Sequence, residues 1–291
     1  MHKFSTDTFK TLCGDNSDME DWQNLIPKLA CDHEFLLNGI FAIAALHSVA
    51  TTPDLEQEQV LSYLDIALQC NEFAFAPFRE ALAYLTPANC DAVFAQSSIL
   101  AVISMALPRL NAQHRGEPFS MIETMIIVSE LLQGANRVSQ ISKSWRQASI
   151  FFKYNWEENT TIEPDIATAI EQLQIINRSI ESTDSTQHQV NLEAIEHLQN
   201  SLTKYNHKPH PAPILAWPAF VRREFVDGLR NRQPFQLLIL MHWGVLLKEL
   251  GTLFWWAQGC GEALVVESLS ELKDKEKWKS AMQWPKQKLG L

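Results

Sequence analysis

Along most of the chain apolar residues recur three and four positions apart, and no run alternates with the period of two that marks a half-buried strand. No hairpin turn of Asn-Gly or Asp-Gly type stands between two such runs. The pattern therefore predicts an all-α chain. Helices are expected over 20–31, 33–51, 54–75, 77–85, 88–107, 117–134, 137–153, 164–180, 187–205, 217–230, 234–250, 252–256, 258–272 and 274–280.

Prolines punctuate this pattern. In "TPAN" at 86–89, Thr86 is placed to cap a helix and Pro87 to open it, where a missing N–H is harmless; that helix is expected to stop at Pro108. Pro77 either kinks a long helix or begins a new one. The four prolines of "HKPHPAPILAWP" at 207–218 predict a loop. Each half of the chain has more apolar helix face than it can bury alone, which predicts one helical domain over 1–291. Its parts are an N-terminal arm (1–20), a Pro-rich loop (207–216) and a C-terminal helical block (217–291).

Composition narrows the function. Hydrophobic residues make up 46% and charged residues 20%, the balance of a globular protein that folds without staples. Lys and Arg number 24 against 34 acidic residues, for a net charge of −10, so direct binding to nucleic acid is not expected. The short basic clusters "VRREF" (221–225) and "LRNR" (229–232) carry no interleaved aromatics and read as solvated helix faces. Five scattered cysteines with no C-x-x-C pair give neither a disulfide framework nor a zinc site, as in a reducing intracellular compartment. Asn159 and Asn177 lie in glycosylation sequons, but "MHKFSTDTFK" has no apolar leader. The longest apolar stretch, 35–50, is shorter than the about twenty residues a membrane span needs and reads as a buried helix.

No metal, nucleophile or phosphate signature is present: H-E-x-x-H, G-x-S-x-G, the P-loop and an aspartate-rich D-D-x-x-D are all missing, and no cofactor is called for. His207 and His210 form an H-x-x-H flanked by prolines, read as exposed loop rather than metal site. The acidic stretch 13–21 lacks the ordered ligands of a calcium loop; Asp18 or Asp21 suits a helix cap. His47 in "AIAALHSVA" and His242 in "LLILMHWGVLL" sit in apolar helices, either as satisfied core residues or as polar handles in an apolar pocket. In "WWAQGCG" at 255–261, the glycines suit a tight junction with close helix approach, and Trp255 and Trp256 offer broad apolar surface for core packing or for lining a cavity.

The ordered segments "FSTDTFKTL", "WQNLIPKLACDHEFLLNGIFAIAALHSVA", "FREALAYLTPANCDAVFAQSSILAVISMA", "WPAFVRREFVDGLRNRQPFQLLILMHWGVLL", "FWWAQGCGEALVVESLSEL" and "KWKSAMQWPKQKLGL" carry a resemblance over nearly the whole chain, with 155–212 the least specific part. The sequence resembles the C-terminal regulatory domain of fungal binuclear zinc-cluster transcription factors of the sterol uptake control type. The resemblance implies about a dozen helices enclosing an apolar pocket for a sterol or terpenoid-like lipid, and a homodimer. It places the pocket at Met241, His242, Trp243, Leu246, Trp255, Trp256, Gly259 and Gly261, facing Phe41 and His47 of helix 33–51.

The six-cysteine DNA-binding cluster of that family does not precede the match, so the expectation is a lipid-binding regulatory module acting without a DNA-binding domain of its own, in nucleus or cytoplasm. The alternative is a free-standing enzyme of fungal secondary metabolism. Such a cyclase, isomerase or pericyclase would use the same pocket, with His47 or His242 as donor.

Overall fold

Helical spacing of the apolar positions is realised throughout. The computed structural model describes residues 1–14, 18–145, 161–181, 184–207 and 210–291, and among these it contains thirteen α-helices and no strand. The chain divides into two compact units, Met1–Phe119 with Leu131–Lys153, and Ser120–Glu130 with Tyr154–Leu291.

The first unit holds α1 (His2–Thr6), α2 (Ile26–Asp32), α3 (Glu34–Thr51), α4 (Gln57–Ala83), α5 (Cys90–Arg115) and the second half of α6 (Met121–Ile141). The expected N-terminal arm is folded into this unit rather than trailing from it. Phe4 and Phe9 are buried, and a 3-10 turn, Thr8–Thr11, follows α1. Residues 15–17 of the acidic stretch lie outside the described residues; Asp18 accepts the Gly14 N–H at 3.0 Å, a bond back into the preceding loop rather than the expected helix cap.

Helices α3 and α5 are long and apolar enough to cross a membrane by length and composition, but 61% and 83% of their apolar windows are buried inside the protein. In α3 that burial engages Leu36, Ile40, Ile43 and Leu46, which are fully enclosed.

Prolines and caps depart from the predicted segments in three places. Helix α4 runs unbroken through Pro77, so the predicted segments 54–75 and 77–85 are one helix, opened by a capping box of Glu56 and Gln59. The start of α5 is organised by Asn89 rather than Thr86. Asn89 Oδ1 accepts the Thr86 N–H at 2.8 Å and its Nδ2 donates to the Tyr84 carbonyl at 3.0 Å, tying the end of α4 to the first turn of α5. Nor does α5 stop at Pro108. One backbone bond is lost there, but Leu107 and Leu110 beside it are buried, and apolar burial along the helix offsets a loss of about 3 kcal/mol. The helix ends at Gly116, whose φ of 70° is the left-handed conformation glycine adopts freely.

The second unit holds the first half of α6 with α7 (Pro164–Glu181), α8 (Ser185–His207), α9 (Pro211–Phe220), α10 (Arg223–Arg230), α11 (Pro234–Leu253), α12 (Cys260–Glu271) and α13 (Gln283–Leu289). The predicted helices at 117–134 and 137–153 merge into α6, and positions 146–153 lie outside the described residues. The predicted Pro-rich loop is largely α9. Pro211 and Pro213 occupy its first turn, where backbone N–H groups have no helical partner to lose. His210 is buried rather than exposed and caps this helix, its Nδ1 accepting the Ala212 N–H at 3.1 Å; the His207 side chain lies outside the described residues.

The predicted helix 217–230 breaks at Val221–Arg222 into α9 and α10, and 252–256 is the end of α11 plus a 3-10 turn, Trp255–Ala257. The predicted helix 274–280 is a 3-10 turn, Glu276–Trp278, ahead of α13. The sequon residue Asn177 is buried and donates to the His188 carbonyl at 2.9 Å; Asn159 lies outside the described residues.

A carboxylate from α12 opens α6. Glu267 accepts the Ser120 hydroxyl at 2.5 Å and the backbone N–H groups of Met121 and Ile122 at 2.6 and 3.1 Å, satisfying donors that a helix start leaves open.

Candidate ligand site in the second unit

Helix α11 carries four of the predicted ligand residues. It is apolar on every side, as a helix surrounded by others must be, and Met241, His242, Trp243 and Leu246 are all buried. Consecutive helix positions point about 100° apart, so Met241, His242 and Trp243 face different neighbours. Trp243 stacks on Trp217 of α9, with centroids 5.5 Å apart, and its indole N–H donates to the Ile214 carbonyl at 3.0 Å. His242 instead stacks on Trp284 of α13, with centroids 5.7 Å apart and planes 12° from parallel.

The imidazole of His242 is sealed. Nδ1 donates to the Leu238 carbonyl at 2.8 Å, one turn back along α11. Burial pushes its pKa down to about 4, and the Leu238 and Ala281 carbonyls work in the opposite direction without prevailing. The ring is therefore neutral near pH 7. With no exposed surface, it has no opening through which to exchange a proton with a substrate.

The "WWAQGCG" segment separates its two glycines by function. Gly259 has a φ of 75° and precedes α12 as its N-cap, with open space where a side chain would stand. Gly261 is pressed onto α11: a Cβ there would collide with the Lys248 backbone nitrogen and lie 2.5 Å from Lys248 Cα and 2.7 Å from the Gly244 carbonyl. Gly244 answers from the other side, with Val265 Cγ2 2.8 Å from its own would-be Cβ. Between the helices, Trp256 is buried and stacks on Phe254 at 5.1 Å, while Trp255 is half-buried.

Phe41 and His47, expected to face this block, belong to α3 in the first unit. Phe41 is half-buried. His47 is buried, with Nδ1 2.8 Å from the Thr8 hydroxyl, and its pKa is pushed down to about 4, chiefly by burial and then by Lys3, with Asp7 opposing.

The second unit also has a cavity that the sequence reading did not single out. It is about 210 Å³ and is lined by His197, Asn200, Ser201 and Lys204 of α8 and by Ala216, Trp217 and Phe220 of α9. Trp217 connects it to the predicted set, since the same indole stacks on Trp243. The spacing 197, 200, 201, 204 puts those four side chains on one helix face, a pattern that reads as a solvated surface when the sequence is taken alone.

The basic clusters are matched by acids. Arg222 pairs with Glu193 and Glu224, Arg230 with Glu130 and Asp227, and Arg232 with Glu123. Charge committed this way is not offered to a phosphate backbone. None of the five cysteines forms a disulfide, and among the described residues no three His, Cys, Asp or Glu side chains gather as a metal would require.

Comparison with known proteins places this architecture. No family model matches the chain. It is 24% identical over 301 aligned residues to a Zn(2)-C6 fungal-type transcription factor of Gibberella zeae, an alignment that covers 98% of this chain and 60% of that protein. It is 32% identical over 106 residues to Sterol uptake control protein 2 of Saccharomyces cerevisiae, covering 36% of this chain and 11% of the relative. The chain thus spans less than two thirds of the length of either relative. This all-helical chain is therefore similar almost end to end to one fungal Zn(2)-C6 transcription factor, and over about a third of its length to a second fungal regulator.

Proposed function

We propose that this chain is a regulatory module that responds to a sterol- or terpenoid-like lipid, taken up beside α11 and α12, and that it acts as a homodimer in the nucleus or cytoplasm without contacting nucleic acid itself. The observation that carries the lipid reading is the aromatic junction between those helices, in a chain similar to a protein named for sterol uptake control. Leu253 is 48% exposed, Phe254 and Trp255 are half-buried, and Trp256 lies under them. Such a junction presents apolar area to a lipid and can swing without breaking a helix, whereas the glycine contact of α11 and α12 holds those helices in fixed register. Regulation then needs only that the lipid prefers one arrangement of the junction over another.

A homodimer would bury apolar surface that α4 leaves open, where Phe73 is 58% exposed and Ile66, Phe75 and Leu82 are exposed as well. Sedimentation velocity should show a dimer that weakens on Phe73→Glu; a monomer at all concentrations would remove this part of the reading.

The lipid is tested with dehydroergosterol, whose excitation band overlaps tryptophan emission. Saturable energy transfer is expected from the wild-type protein, reduced several-fold in Trp255→Ala, with circular dichroism unchanged. Absence of saturable transfer at sterol concentrations below micelle formation would overturn it.

A further inference from the structure

Helices α12 and α13 are attached to α11 by unlike means. At the α11–α12 contact Gly261 lies on the backbone of Lys248 and Gly244. Helix α13 is only seven residues long, and Pro285 is its one buried residue. So short a helix does not persist in water by itself, so α13 is helical only while it is docked. Side chains do the docking.

The polar bonds that hold α13 converge. Asp165, in the first turn of α7, offers one oxygen to two of them: Oδ2 accepts the Trp284 indole N–H at 3.0 Å and the Lys288 ammonium at 2.8 Å. A third bond comes from α11, where the Lys248 ammonium donates to the Lys288 carbonyl at 2.8 Å. The Lys288 bond, opposed by burial and helped by Trp284, holds the Asp165 carboxyl below the usual carboxylate range, so it stays charged. The Asp165 and Lys288 side chains are 42% and 43% exposed, and an ion pair so placed is weak because water and salt compete for it.

What α13 covers is His242. The Trp284 ring lies parallel over the imidazole, which has no exposed surface. Nδ1 of that imidazole donates to the Leu238 carbonyl, which leaves no proton on Nε2 of the neutral ring. Nε2 thus meets the Ala281 carbonyl, a second acceptor, without a hydrogen bond. An unpaired buried acceptor raises the free energy of the closed arrangement, and water that reaches it offsets part of what opening loses.

We infer that α13 is a releasable clasp on α11, caught at the single Oδ2 oxygen of Asp165, and that its release turns His242 from a sealed core residue into a neutral imidazole open to solvent. Helices α11 and α12 stay folded while it opens. The clasp is independent of the lipid reading, which rests on the Phe254–Trp256 junction, and either can fail alone.

Two measurements on the full chain test it. Hydrogen–deuterium exchange with mass spectrometry reads the clasp, and labelling with diethyl pyrocarbonate, with the exposed His2 as reference, reads His242. In the wild type the amides of 283–291 are expected to exchange well before those of α11 and α12. Asp165→Asn keeps the shape of the catch and removes its charge, and Lys288→Met keeps the alkyl stem and removes the ammonium. Each should speed exchange at 283–291 and labelling of His242 together, by about tenfold for Asp165→Asn and about threefold for Lys288→Met, with α11 and α12 unchanged. Trp284→Ala takes away the cover itself and should give the fastest labelling of the three.

The proposal is overturned if 283–291 exchanges only in step with α11, if neither charge variant speeds it, or if labelling of His242 does not rise with it. Should Asp165→Asn or Trp284→Ala loosen the whole unit, seen as faster exchange in α11 and α12, Lys288→Met decides alone, because its side chain lies at the surface.

Discussion

Helices α3 and α11 each carry a buried histidine and each meet a neighbouring helix at a glycine contact, but the two contacts have different tolerances. On α3, a Cβ at Gly39 would run into the side-chain amide of Gln96 on α5, with Cδ at 2.9 Å and Nε2 at 3.0 Å. At the α11–α12 contact, a Cβ on Gly261 would run into the main chain of Lys248 and the carbonyl of Gly244. An amide at the end of a flexible side chain can turn aside. The backbone of a packed helix cannot, because moving it displaces every side chain that it carries.

The histidines follow the same division. His47 faces a hydroxyl that can donate or accept, with Lys3 and Asp7 close enough to affect its charge. His242 is fixed by a carbonyl on its own helix and covered by the parallel ring of Trp284. The comparison teaches that glycine marks a rigid contact only when what it meets is backbone.

The strongest way to break this comparison is to put the same methyl at both contacts. Gly261→Ala is expected to destabilise the protein by about 3 kcal/mol. Gly39→Ala should stay within about 1 kcal/mol, because a better helix residue partly offsets the displacement of Gln96. Urea denaturation of the two variants measures both values, and equal losses would show that the two contacts do not differ in kind.

Acid gives the next largest effect. The unfolded chain protonates His242 near pH 6.5, whereas the folded chain resists until about pH 4. Between those values the unfolded state binds more protons, so stability falls as pH is lowered. The loss through this window is about 3 kcal/mol from His242. His47 is shifted in the same direction and adds to the slope. Stability measured from pH 7 to 4 should therefore decline more steeply in wild type than in His242→Leu. Matching slopes would mean that His242 is not held neutral.

The smallest effect isolates the hydroxyl. Thr8→Val keeps the shape and removes the bond to His47 together with the longer one to the Lys3 carbonyl at 3.3 Å, and should cost about 1 kcal/mol. Thermal melts at pH 7 read it, and an unchanged melting temperature would mean that His47 takes nothing from Thr8.

Legibility in the sequence followed the range of the cause. Helices α3 and α11 could be read from the chain because their apolar residues are continuous and local; the predicted 33–51 and 234–250 differ from Glu34–Thr51 and Pro234–Leu253 only at their ends. Helix α9 was hidden because proline is read as a breaker unless one knows where the first turn falls, and His210 sets that position from outside the helix. The glycines of 255–261 read as a junction and a close approach, but which one meets backbone depends on Lys248 of another helix.

The predicted ligand residues of α11 lie on one buried helix, and their directions are set by partners remote in the chain. Trp217 drew Trp243 one way and Trp284 drew His242 another. The α8–α9 cavity was not legible at all, since a polar helix face looks the same in sequence whether water or α9 lies against it.

The cap that Glu267 places on the first turn of α6 has a consequence for the order of assembly. The carboxylate stands 147 residues after Ser120. A ribosome therefore delivers all of α6 long before the residue that secures its beginning; until α12 emerges the Ser120 hydroxyl can accept the Glu123 N–H, but the N–H groups of Met121 and Ile122 have only water to bond. Closing so long a loop is slow compared with forming the helix itself. The beginning of α6 is thus among the last pieces of secondary structure to be secured, and a chain cut short before residue 267 would carry this helix with a frayed start.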